Sequence, residues 1–366
     1  MKVVVTGTRG IPNVMGGVET HCEELFPRIA RKGADVTVIR RSSYVHDDLK
    51  VWNGVKLLDV ETPKRKSFEA IIHTFRAIHI AKRLNADIMH IHAIGPAMLV
   101  PYARLLGMKV VFTHHGPDYN RDKWGFFAKV MLKFGERMGC VFADEVIVIS
   151  DVIKKLIAKK YGRTEHVHLI YNGVPKTDRC DCPRYFEELG IEKGKYILAM
   201  CRFVPEKNLH HLVDAFSRID TKGCKLVLAG DTDFEDDYSR ALKEKAIENG
   251  VVLTGFIKGQ KLHSLLTHCR CFCLPSSHEG LPIALLEAMS YGTRVIVSDI
   301  PANMEVGLDK SCYFPVGNVE ALAEKLQKNI NGDFYTTKYD MNKYDWDTIA
   351  KQTFCIYCRL MKKLGG

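Results

Sequence analysis

An α/β protein made of two open units, each a mostly parallel sheet with helices on both faces, is what the sequence predicts. Three observations carry that expectation. Short continuous apolar runs alternate with stretches of helical spacing along the whole chain, as buried parallel strands and their crossover helices require. The length of 366 residues, at about 150 per domain, suggests two domains. The turn-rich string Asn172-Gly173-Val174-Pro175 then divides the chain near its middle.

In order, Lys2–Thr6 is a β-branched run ending at Gly7, and a glycine-rich loop leads to helical spacing over 18–31 through Cys22, Leu25, Phe26 and Ile29. Gly33 stops that helix, and 35–39 reads as the next strand. Further strands are expected at 88–91, 109–113 and 145–149, with a helix over 67–84 among the stretches between them. The second series places strands at Tyr196–Met200, Lys225–Ala229, 251–254, Cys271–Leu274 and 294–297, each followed by a helical pattern. The domains expected are 1–172, 173–345 and a C-terminal helix over 346–366. Ligands of such sheets bind beyond the strand C-termini, so a two-domain cleft enzyme is the default.

A composition of 46% hydrophobic and 26% charged residues excludes a disordered or fibrous chain. No basic segment followed by a long apolar run opens the sequence, and no stretch of about 18 uncharged apolar residues occurs, so a cytoplasmic protein is expected. Twelve cysteines scattered without zinc-finger spacing read as reduced thiols, and no metal site is expected from them. The net charge of +10 is unevenly spread: +10 over 1–172, −3 over 173–345 and +3 over 346–366. Nucleic acid, an anionic membrane or an anionic substrate would each be drawn by that field.

The segment Ser276-Ser277-His278-Glu279-Gly280-Leu281-Pro282-Ile283, running on to Glu287, follows a strand. Pro282 suits the first turn of a helix, which leaves the amides of Gly280 to Ile283 to face an anion at the positive end of the helix dipole. Glu279 in the loop and Glu287 on the helix can each accept two hydrogen bonds from paired hydroxyls, as sugars and riboses present them. Taken alone, the pair would be two surface glutamates. Arg202 and Lys207 change the balance, because they lie on the loop after Tyr196–Met200 and suit the neutralisation of a diphosphate.

At the N-terminus, Gly16-Gly17 lets backbone approach a ligand closely ahead of a helix start. The loop does not match G-x-G-x-x-G, and the strand after it ends in Arg40-Arg41 where a nicotinamide enzyme places an acid, which disfavours a dehydrogenase.

Together the Gly-Gly loop, Arg202 with Glu206-Lys207, and Glu279 with Glu287 resemble the retaining glycosyltransferases of family 4, which have the GT-B fold of two Rossmann-like domains, over essentially the whole chain. The opening Gly7-Thr8-Arg9-Gly10-Ile11-Pro12 is similar to a bacterial subgroup that includes rhamnosyltransferases of capsule and O-antigen synthesis. The resemblance implies a nucleoside-diphosphate-sugar donor and a saccharide acceptor. It implies that Glu279 contacts the donor sugar, Glu287 the ribose, and Arg202 and Lys207 the diphosphate, with Gly280 to Ile283 alongside and Gly16 and Gly17 facing them across the cleft. His115 matches the family's cleft histidine; His114 should point the other way along the strand. No metal cofactor is implied, the cations and the helix dipole taking its place. Asp231-Thr232-Asp233 is similar to the metal-binding triplet of the other large glycosyltransferase fold, but the rest of the chain does not fit that fold. His90 and His92 share one strand face and would suit a metal pair, yet no third ligand is evident.

Two basic amphipathic segments, Lys64 to Ile78 and Trp124 to Phe134, suit an anionic inner-membrane surface and a lipid-linked saccharide acceptor, or else are core. The basic C-terminal helix is expected to return to the first domain, as in GT-B enzymes. A sugar-nucleotide epimerase or hydrolase would use the same diphosphate site, whereas a nucleic-acid-binding module leaves the glutamate motif unexplained.

Overall fold

The computed structural model describes residues 1–62, 69–121, 124–233, 235–333 and 338–362. The chain divides into two compact units, Met1–Gly173 with Lys343–Gly366, and Val174–Asn342. The first stretch therefore ends one residue past the expected boundary, and the unit reclaims 343–345 in addition to the C-terminal helix.

The first unit holds an eight-stranded sheet: β1 Lys2–Thr6, β2 Asp35–Arg41, β3 Val51–Trp52, β4 Val55–Val60, β5 Ile88–His92, β6 Lys109–His114, β7 Glu145–Val148 and β8 Val167–Leu169. The strand order is β3-β4-β2-β1-β5-β6-β7-β8, parallel throughout except for the β3–β4 hairpin. Val3, Val4 and Val5 are all buried, as a strand covered on both faces must be. The sequence reading passed over β3, β4 and β8. β4 shows why: in Val-Lys-Leu-Leu-Asp-Val the charged residues break the apolar run, because this strand lies toward the sheet edge and leaves Lys56 and Asp59 partly in solvent.

One face of this sheet is covered by the helices Gly17–Arg31 and Trp346–Lys362. Cys22, Leu25, Phe26 and Ile29 share a core with Trp346, Ile349, Ile356, Tyr357 and Leu360. Gly173 receives the Trp346 ring so closely that a Cβ there would lie 2.6 Å from it. The C-terminal helix is thus a structural member of the first unit.

The second unit holds β9 Tyr196–Met200, β10 Lys225–Ala229, β11 Val252–Gly255, β12 Cys271–Leu274, β13 Val295–Ser298 and β14 Tyr313–Phe314. Their order is β11-β10-β9-β12-β13-β14, all parallel. Its core gathers Ile197, Leu226 and Leu228 with Leu212, Leu242, Leu322 and Leu326 from the covering helices. All twelve cysteines are unpaired. Among the described residues no helix is long and apolar enough to cross a membrane.

Because Trp346 is almost wholly buried against a glycine that cannot move aside, Trp346→Ala should leave a cavity costing about 3–5 kcal/mol. Urea denaturation followed by far-UV circular dichroism should show the loss in the transition of the first unit, with that of the second unchanged.

Candidate active site

Adjacent parallel strands discharge their loops at the same sheet edge, and in the second unit β9 and β12 are adjacent, pairing Ile197 with Cys271 and Leu198 with Phe272. The loop after β9 is anchored by Phe203, which is buried and whose amide donates to the carbonyl of Asp231 at 2.9 Å. It then makes one tight turn, Pro205–Lys207. The loop after β12 is tied to that turn: the Ser277 amide donates to the Glu206 carbonyl at 2.9 Å, and Asn208 Nδ2 to the Pro275 carbonyl at 3.2 Å. Two loops laced together in this way bring Lys207 Nζ to within 2.5 Å of Glu279 Oε1. Both side chains are largely withdrawn from solvent, 17% and 10% exposed, so this pair is screened far less than a surface one.

Arg202 leans the other way, its NH1 3.4 Å from Asp233 Oδ2. Cys201 registers the whole group. Burial pushes its thiol up to about 12, with Glu279 and Glu206 adding to the rise and Lys207 and Arg202 opposing it. All four charges are thus within electrostatic reach of Cys201, just past the end of β9. Glu287 lies about one turn along the helix Ile283–Ser290. The Asp231-Thr232-Asp233 triplet is spent on cations, Asp231 receiving Lys243 at 2.9 Å and Asp233 receiving Arg202.

One expectation needs correcting. Pro282 stands at the N-cap with φ −74° and ψ 106°, so the helix begins at Ile283, and Gly280 and Leu281 precede it. Proline has no N–H. The amides of Leu285 and Leu286 already donate to the Pro282 carbonyl, which leaves those of Ile283 and Ala284 as the helix-terminal donors for an anion.

In the first unit, Gly16 and Gly17 prove unlike. Gly16 adopts φ +144°, and a Cβ there would lie 2.2 Å from Glu19 Oε2 and 2.5 Å from Arg9 NH2. Its requirement is internal, since the loop closes on the ion pair of Arg9 with Glu19. A Cβ on Gly17 would meet nothing within 4 Å, so this is the glycine that leaves room for a ligand.

His114 and His115 point apart. His114 is fully buried, its Nε2 2.9 Å from Glu136 Oε1. His115 Nε2 lies 2.9 Å from His92 Nδ1, and the His21 ring stands edge-on at 4.9 Å between centroids. His21, His92 and His115 bring one nitrogen each within 4.8 Å of one another; among the described residues they are the one grouping of three possible metal ligands. The expected His90–His92 pair is not the one the fold offers: His92 groups with His21 and His115, while His90 is occupied by Tyr357 and Thr113. Burial keeps all four rings neutral by lowering His21 to about 4, His90 to about 3, and His92 and His115 well below the usual histidine range. His21 was not singled out from the sequence; its place one helical turn beyond Gly17, on the inward face with Cys22 and Leu25, was the signal available.

The helix Phe126–Phe142 buries Gly135, Glu136, Gly139 and Cys140 and leaves Phe126, Phe127, Val130 and Phe134 exposed. A Cβ on Gly135 would lie 2.1 Å from the Ile94 carbonyl oxygen, so the close approach of this helix demands small residues inward and turns the large ones out. Its aromatic stripe is not core. Of the other basic segment, Lys64 to Phe68 lie outside the described residues, while Ile78 is buried and Phe75 exposed.

Residues 15–177 match the family described as Glycosyltransferase Family 4, and residues 181–346 match Glycosyl transferases group 1. The chain is a glycosyltransferase. It is 26% identical to an uncharacterized glycosyltransferase of Methanocaldococcus jannaschii over the full length of both chains. It is 27% identical to the O-antigen chain mannosyltransferase of Salmonella typhimurium over 62% of this chain and 64% of that one. Its fold is that of Anabaena HepE, solved in complex with UDP-glucose, with a TM-score of 0.75, 19% identity and coverage of 100% and 99%. The glycosyltransferase thus has the GT-B architecture.

Beneath the aromatic helix of this glycosyltransferase, burial alone would raise the Glu136 carboxyl, but hydrogen bonds from His114, Lys160 and Tyr161 outweigh it and hold the group down to about 2. A carboxyl lower in the folded than in the unfolded chain adds stability that is complete above the unfolded value and lost as pH falls. Denaturation midpoints should therefore drop between about pH 4.5 and pH 2, and Glu136→Gln, already destabilised at neutral pH, should show a shallower drop there.

Proposed function

We propose that the enzyme moves a sugar, with retention at the anomeric carbon, from a nucleoside-diphosphate sugar to a saccharide acceptor in the assembly of a surface polysaccharide. The observation that carries this reading is the solvent-withdrawn contact of Lys207 with Glu279, on the loop that runs into the helix start with its donor amides of Ile283 and Ala284. It sets a cation for phosphate and a carboxylate for sugar hydroxyls side by side. Arg202 adds a second cation at the same strand end, and Glu287, farther along the helix, is assigned to the ribose. The UDP-glucose complex of Anabaena HepE supports a nucleotide-linked donor, and the Salmonella relative supports the polysaccharide role.

As the bond between anomeric carbon and diphosphate breaks, its electron pair passes to the phosphate oxygen, where Lys207, Arg202 and the two amides stabilise the growing charge. The acceptor hydroxyl attacks on the face the diphosphate leaves, and its proton passes to the departing phosphate. His115 is assigned to a hydroxyl of the transferred sugar. The cations and amides take the part of a metal, so activity is expected to persist in EDTA.

A panel of nucleotide sugars in a thermal-shift assay should reveal one stabilising donor. With that donor, Lys207→Ala should lower kcat/KM by about 10²–10³ and Glu279→Gln by a similar factor. Retention is read from the product anomer by NMR, and an inverted anomer would end that part of the proposal.

The exposed phenylalanines, with Lys129, Lys133 and Arg137 on the same helix, fit a bilayer rich in anionic lipid, where a lipid-linked acceptor would be met. Phe126→Asp with Phe127→Asp should abolish cosedimentation with phosphatidylglycerol vesicles while leaving turnover of a water-soluble acceptor unchanged.

A further inference from the structure

Arg40 and Arg41 end β2 side by side, and only one of them is satisfied. Arg40 is fully buried and saturated: it donates to both oxygens of Asp59 at 2.6 and 3.0 Å, to Asp47 at 2.8 Å, and to the carbonyls of Ile11 and Leu49. Arg41 is almost as deeply placed, at 9% exposure. Yet among the described residues its guanidinium makes no hydrogen bond and no ion pair, and its Nε is closed off from solvent without an acceptor.

The nearest carboxylates act on Arg41 through space but give their hydrogen bonds to other groups. Glu69 accepts from Ser43 Oγ at 3.0 Å, Thr62 Oγ1 at 3.2 Å and the Tyr44 hydroxyl at 3.3 Å. Glu19 accepts from Arg9, whose guanidinium also lies over the Tyr44 ring. His73 is fully buried in the same cluster, its Nδ1 3.4 Å from Thr6 Oγ1 and its ring within hydrogen-bonding influence of the Arg40 backbone. When the Thr6 hydroxyl donates to Nδ1, the proton of the neutral ring resides on Nε2, which then is a donor as well. Among the described residues, the charged and titratable groups around Arg41 are thus Arg9, Glu19, Tyr44, Glu69 and His73.

A deeply placed guanidinium whose Nε has no acceptor is unfavourable, and the planar fork is the shape that a phosphate or carboxylate satisfies with two parallel hydrogen bonds. Its position at the C-terminal edge of the sheet, with its backbone amide bonded to the Arg9 carbonyl of the first loop, is where such sheets receive ligands. We infer that Arg41, with His73 beside it, forms an oxyanion site within the first unit that takes a phosphate or carboxylate group carried by the acceptor. Assigning the anion to the acceptor rests on the transferase reading; the binding of the anion does not.

The test uses the full chain and inorganic phosphate, with acetate as the carboxylate arm. Isothermal titration is run in a Lys207→Ala background, which silences the donor site. Phosphate binding should persist there and weaken about tenfold or more on adding Arg41→Gln, with Arg41→Lys intermediate because a point charge replaces the fork. In the wild type, phosphate should shield Arg41 from phenylglyoxal in a peptide map while chloride at equal ionic strength does not, a readout that needs no variant to fold. Equal protection by acetate would make the site one for carboxylates; protection by phosphate alone, one for phosphates. Unchanged phosphate affinity in a folded Arg41→Gln chain, or no protection of Arg41 by either anion, overturns the site. Protection of Arg41 in a chain that binds no nucleotide sugar keeps the site and overturns its assignment to the acceptor.

Discussion

The adjacency of β9 and β12 is the constraint on which the candidate site depends. Parallel neighbours deliver their loops to one edge, and here the two loops are laced by the Ser277 amide and the Asn208 side chain before either charged group is reached. Lys207 and Glu279, 72 positions apart in sequence, are consequently held in contact by backbone hydrogen bonding rather than by their own attraction alone. That ordering matters energetically. Two long side chains brought together only by charge would lose rotamer freedom to gain little, whereas here the turns have already met most of that cost.

The same logic separates binding groups from structural ones elsewhere. Arg40 and Arg41 are identical in chemistry and adjacent, yet among the described residues one donates to five acceptors and the other to none. Gly16 and Gly17 are equally alike on paper; the first is obliged by an internal ion pair and the second opens onto free space. Asp231 and Asp233 look like metal ligands until their cations are located. In each case the residue type suggests a function and the saturation of its bonds decides whether it is free to perform it.

Much of this architecture was legible from the chain. Strands buried on both faces write themselves as unbroken apolar runs, which is why β1, β5, β6, β9 and β12 were identifiable, and why β4, half in solvent, was not. Arg202, Lys207 and Glu279 could be chosen because loop position after a strand is itself a sequence feature. What the sequence hides is pairing across long separations. Nothing in local spacing joins His21 to His92 and His115, or says that Asn172 will hold the His21 ring from 151 positions away. The helix register near Pro282 was misjudged for a different reason: proline is accepted both at the N-cap and in the first turn, and those two placements differ in which amides remain free.

The helix Phe126–Phe142 shows how far local pattern can mislead when it is read by polarity alone. Its aromatic stripe has the spacing of a buried face, and hydrophobicity argues for core. Volume argues the reverse, because the partner backbone at Ile94 comes so near that only glycine fits at position 135, and Phe112 presses on Gly139 in the same way. A helix whose inward face must be small has nowhere inside to put its phenylalanines. Glu136 is enclosed on that same inward face with His114, Tyr119, Lys160 and Tyr161, so the polar residue is the buried one and the apolar residues meet solvent. The inversion gives the first unit an apolar surface flanked by its own cations, and it follows from a steric limit on packing rather than from any shortage of polar residues in the sequence.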